Sequence, residues 1–198
     1  MQEATGFVGR IMMSKAGTKL FMAALLILAP VLCSTTYGDD TENLISAAKQ
    51  GDVKQVKDLL GKGTDVDAAG ADGVTALVAA CINGHTELVK LLLASEADVD
   101  VKAANGVPIL LVVSMMGNHE MAKLLLDAGA DVEITDNTGV TALMVASHEG
   151  HVDVVKLLLE AEADVNAKSK DGDTALMAAS VKGHTNIADL LKAHGAKK

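Results

Sequence analysis

Three Gly-His pairs stand out among the side chains that could do chemistry: Gly84-His85, Gly150-His151 and Gly183-His184. A fourth imidazole, His148, lies three residues before His151, and two rings so close in sequence could begin a metal site. Gly150 separates them, however, and no cysteine or third histidine joins them, so structural histidines are expected rather than a zinc set. Asp65, Asp98, Asp131 and Asp164 recur every 33 residues like a carboxylate ladder. Calcium would gather its oxygens within one loop. A carboxylate repeated once per unit reads instead as a turn-making acceptor. Cys81 falls in the same frame as Ser114, Ser147 and Ser180 and has no base assigned to it. That pattern describes a small packed residue and not a nucleophile. No nucleophile elbow, phosphate loop or zinc-protease helix is present. Neither catalysis nor a metal nor any other cofactor is expected.

The interval itself carries the architecture. Gly73, Gly106, Gly139 and Gly172 are spaced by 33 residues, and so are Gly51, Gly84, Gly117, Gly150 and Gly183. Two registers of glycine locked to one period mean one structural unit copied along the chain. Stacked units expose long surfaces and few enclosed pockets, which favours binding over chemistry.

Composition agrees. The chain has 198 residues, 49% of them hydrophobic, enough for one domain. Its aromatics, Phe7, Phe21 and Tyr37, all precede residue 38, so the repeats must build their core from Leu, Val, Ile, Ala and Met. Three of the 17 basic and one of the 26 acidic residues lie before residue 39, which leaves 14 against 25 and a formal charge of −11 for the rest. An acidic body whose single Arg is Arg10 repels phosphate backbones, so nucleic acid is not an expected partner.

Residues 1–38 read as an export signal. Lys15 and Lys19 precede the apolar run Leu20 to Leu32, which is too short for a comfortable span of about 20 residues. A small-polar exit follows, with cleavage expected after Gly38. Translation from Met13 would give a more ordinary signal. A lipoprotein reading is poor because Leu32 precedes Cys33, and Pro30 argues against an uncleaved membrane anchor, the alternative localisation. Once Cys33 leaves with the signal, Cys81 has no disulfide partner. The expected destination is the periplasm or the exterior, with no membrane insertion after cleavage.

One unit runs from Asp136 to Lys168. Thr141 can cap a helix that begins at Ala142, and Gly150 can end it. A second helix carries Val154, Val155, Leu157, Leu158 and Leu159 on a wide apolar face, and Ala163 to Ala167 lead to the next turn. The unit closely resembles the ankyrin repeat in Thr141-Ala142-Leu143, Gly150-His151, Val155-Lys156-Leu157-Leu158-Leu159 and Ala163-Asp164-Val165-Asn166. Thr75-Ala76-Leu77 with Gly84-His85, and Thr174-Ala175-Leu176 with Gly183-His184, repeat the match. The third copy is looser, with Pro108 for Thr and Asn118 for His. An all-α solenoid is implied: five helix-turn-helix units joined by hairpin-like loops, at about 40–69, 70–102, 103–135, 136–168 and 169–198.

The resemblance also exposes departures. The family's His within the first helix is replaced by Val78, Met144 and Met177, which exchanges polar staples for packing. The glycine that ends the second helix is present as Gly63, Gly129 and Gly195 but replaced by Glu96 and Glu162, which must then adopt a left-handed conformation. His85, His151 and His184 fall where the family's ring commonly serves the start of the second helix.

In such arrays a protein partner meets the concave face, made of hairpin tips and first-helix ends. The positions that match are Val74, Ile82, Asn83, Val107, Met115, Met116, Val140, His148, Glu149 and Val181. Val74, Ile82, Val107, Met115, Met116 and Val140 would form an exposed apolar strip, with methionine adapting to an irregular partner. The reading is a monomeric, non-catalytic interaction scaffold. An effector acting on another cell, and a metal or redox accessory protein using His148, His151, Cys81 or the methionines, are the alternatives.

Overall fold

The computed structural model describes residues 39–197. The export signal expected over residues 1–38, its expected cleavage site and the anchor alternative lie outside the described residues. One unit spans Thr41–Lys198. Among the described residues there are ten helices and no extended strand. They are α1 (39–50), α2 (Val53–Gly61), α3 (Ala76–Ile82), α4 (Thr86–Ala94), α5 (Ile109–Met115), α6 (His119–Asp127), α7 (Ala142–Glu149), α8 (Val152–Glu160), α9 (Ala175–Lys182) and α10 (Thr185–Ala193). None is long and apolar enough to cross a membrane.

Helices of seven to nine residues are too short to persist alone, so stacking must hold them. Consecutive pairs lie against one another: α3 packs on α5, α5 on α7 and α7 on α9, while α4, α6, α8 and α10 form the second row. The seam between the rows is the core. It takes Leu88, Val89 and Leu92 from α4, Met121 and Leu125 from α6, Val154, Val155 and Leu158 from α8, and Ile187 and Leu191 from α10, all fully buried. Each such side chain contributes about 1.5–3 kcal/mol on burial. Val78 and Met144 are buried at the positions where polar staples were expected to give way to packing.

Local chemistry sets the ends of each helix. Thr75, Thr141 and Thr174 sit in extended conformation, and their hydroxyls accept from the amides of Val78, Met144 and Met177. Pro108 replaces this cap in the third unit. It stands opposite Lys102 in an antiparallel bridge whose hydrogen bonds run from Ala103 and Ile109, so its missing N–H costs the bridge nothing. Among the described residues two non-glycines have positive φ, Glu96 (64°) and Glu162 (65°), the two positions singled out by sequence.

Asp65, Asp98, Asp131 and Asp164 close turns as expected, each accepting from the amide two residues on. A second series ties neighbouring units. Asp67, Asp100 and Glu133 accept from the amides of Asp98, Asp131 and Asp164, and Asn166 accepts from Lys197.

Candidate binding face

The Gly-His pairs join one unit to the one before it. Nε2 of His85, His151 and His184 donates to the carbonyls of Lys49, Met115 and His148, at 3.1, 2.9 and 3.0 Å. Each acceptor lies in the last turn of the preceding first helix. None of the three rings caps its own second helix, which corrects the role expected for them. Asn118, in the third unit, does cap its own helix, accepting from Met121.

His148 and His151 are thereby spoken for. His148 Nδ1 donates to Glu149 Oε1 at 2.8 Å, and that bond holds the Glu149 carboxyl below its ordinary range, with Lys182 and His151 adding to the effect. Among the described residues no three His, Cys, Asp or Glu side chains are grouped to hold a metal. Cys81 is fully buried, and desolvation pushes its thiol up to about 12, so it is not a thiolate at neutral pH.

The hairpin turns and the C-terminal ends of α3, α5, α7 and α9 present the residues proposed for binding. Ile82, Met115, Met116 and Val181 are exposed at 45%, 51%, 45% and 83%. Asn83 is also exposed, its amide donating to the Ala79 carbonyl. Val107 and Val140 are half-buried against the core. Val74 is a correction: it keeps only 8% of its surface because its side chain joins the core cluster beneath the hairpin, so it cannot belong to an exposed strip.

The structure gathers part of the set and adds to it. Met115, Val140, His148, Glu149 and Val181 line one groove of about 450 Å³, with Met144, Val145, Asp173, Thr174, Met177 and Ala178. Ile82, Asn83, Val107 and Met116 stay outside it. Met177 is the main addition. Its equivalents Val78, Leu111 and Met144 are at most 5% exposed, whereas Met177 keeps 43%. The sequence pattern treats it as a packing substitution, and only its exposure marks it out.

A family model described as Ankyrin repeats (3 copies) matches residues 44–136 and 110–198, so the two matches together cover the helical stack. The chain belongs to the ankyrin repeat family. No curated protein matches it. Ankyrin repeats serve in general as non-catalytic scaffolds for protein–protein interaction.

Proposed function

We propose that this ankyrin array is an exported, non-catalytic scaffold that captures a protein through the face its hairpins share with the first helices. One observation carries the reading. Five large apolar side chains, Ile82, Met115, Met116, Met177 and Val181, stay exposed on the first helices or directly after them, while among the described residues no large hydrophobic of the second helices is exposed. Exposed apolar side chains grouped on one face mark interaction surfaces. Domain organisation follows the same proposal, with a cleaved signal over 1–38 and five repeats over 39–198.

The test is photo-crosslinking in the native cell. A benzophenone amino acid is placed at Met116, outside the groove, in the parent chain and in a Met115→Lys background. A discrete crosslinked protein present in the parent and lost in the variant, both folded by circular dichroism, supports the reading. A crosslink that survives the lysine, or none at all, defeats it. Fractionation of the same cells tests export, because recovery from the cytoplasm with residues 1–38 intact would refute the signal.

A further inference from the structure

The groove over the fourth and fifth repeats also specifies what it would hold. We infer that it takes a cationic segment of a partner protein, with a large apolar side chain inserted between Met115, Met144, Met177 and Val181 and Lys or Arg placed against Glu149 and Asp173. This rests on the reading that the array binds protein on this face.

Three features converge. The floor consists of thioether and aliphatic groups, including Val145 and Ala178, so an inserted side chain finds apolar contact without a buried polar demand. A volume of about 450 Å³ falls in the range of cavities that enclose small ligands, roughly 300–1,000 Å³. Two carboxylates, Glu149 and Asp173, line the groove beside the His148 imidazole, and no Lys or Arg lines it. Lys182 lies close enough to Glu149 to help keep it ionised, but it is not part of the lining. The hydrogen bond from His148 fixes the Glu149 carboxylate beside the apolar floor. A fixed charge needs less reordering when a partner arrives. At longer range the formal charge of −11 on residues 39–198 attracts a basic segment and repels an acidic one.

Two of the floor side chains are exposed. Met177 and Val181 are 43% and 83% exposed, and they line a second depression of about 390 Å³ with Leu176, Ser180 and Lys192. Replacing them removes floor without opening the core.

A phage-displayed library of random dodecapeptides, panned against the full chain, tests the inference. Enriched peptides are then measured against two variants: Met177→Ser with Val181→Ser, which strips the floor, and Glu149→Gln with Asp173→Asn, which removes the rim charge. The expected peptides carry Lys or Arg around a large apolar residue. They lose about tenfold or more in affinity to each variant, and their salt dependence flattens in the carboxamide variant. Peptides that need the floor but show no excess of Lys or Arg, and bind the carboxamide variant undiminished, would overturn the cationic partner and leave the face itself standing. Peptides indifferent to both variants, or no enrichment, would overturn both.

Discussion

The imidazole of His151 lies directly over Gly117. A Cβ built on that glycine would come within 2.5 Å of Nδ1, while Nε2 of the same ring donates to the Met115 carbonyl. The pairing of the two recurs as His85 over Gly51 and His184 over Gly150. One ring therefore satisfies a carbonyl at the end of the preceding helix and covers the glycine that follows it.

Gly84 breaks the series, because nothing approaches its Cβ position within 4 Å. The residue that would cover it is Asn118, which caps its own helix instead. Gly84 and Gly117 share a left-handed backbone, with φ of 75° and 68°. Alanine at either costs about 1–2 kcal/mol for that conformation. At Gly117 it also displaces the ring, adding about 1–3 kcal/mol. Urea midpoints of Gly84→Ala and Gly117→Ala should differ by that second amount, and removing the ring with His151→Ala should shrink the gap. Equal losses would deny the ring its covering role.

Glu96 and Glu162 give the opposite sign. Both hold φ near 65° where the family uses glycine. Replacing each by glycine relieves roughly 1 kcal/mol. The sites lie in different repeats, so the two gains should add. Thermal melts of the single and double variants check this, and no rise in either single variant would refute the strain.

These two glutamates show what a short stretch of sequence specifies. Helix ends, threonine caps and left-handed positions depend on a few neighbouring residues, and a period of 33 repeats that signal until it is unmistakable. Links between units were harder to read. His151 meets Met115 across 36 residues, and Asp100 meets the Asp131 amide across 31, and neither contact exists until two units stack. The same limit explains Val74 and Met177. Val74 is drawn into the core cluster while Met177 keeps 43% of its surface, and no local pattern tells the two apart.

Buried hydroxyls offer a third test. Ser114 and Ser147 are fully buried and their Oγ atoms lack a partner, whereas Ser180 Oγ donates to the Leu176 carbonyl at 2.6 Å. An unpaired buried hydroxyl costs about 1–3 kcal/mol in desolvation, and replacement by an apolar group of similar shape can be neutral or stabilising. Ser114→Ala and Ser147→Ala should therefore leave stability unchanged or raise it by up to about 1 kcal/mol. A loss larger than that in chemical denaturation would mean that the hydroxyls bond in solution.

Cys81, in the same slot, makes stability depend on alkali. Burial raises its thiol from an ordinary 9.0 to about 12. Between those values the unfolded chain gives up a proton that the folded chain keeps, so rising pH favours unfolding. The stabilisation is complete below 9.0 and disappears as pH climbs toward 12, at no more than about 1.4 kcal/mol per pH unit. Every other group is common to the parent and to Cys81→Ala, so its contribution cancels in the comparison. Alanine removes the titrating group at the price of a small cavity, so the variant should start weaker at neutral pH and lose stability less steeply above pH 9. Urea midpoints taken for both proteins across that alkaline range decide it. Parallel slopes would mean that the folded array ionises the thiol as readily as the unfolded chain does.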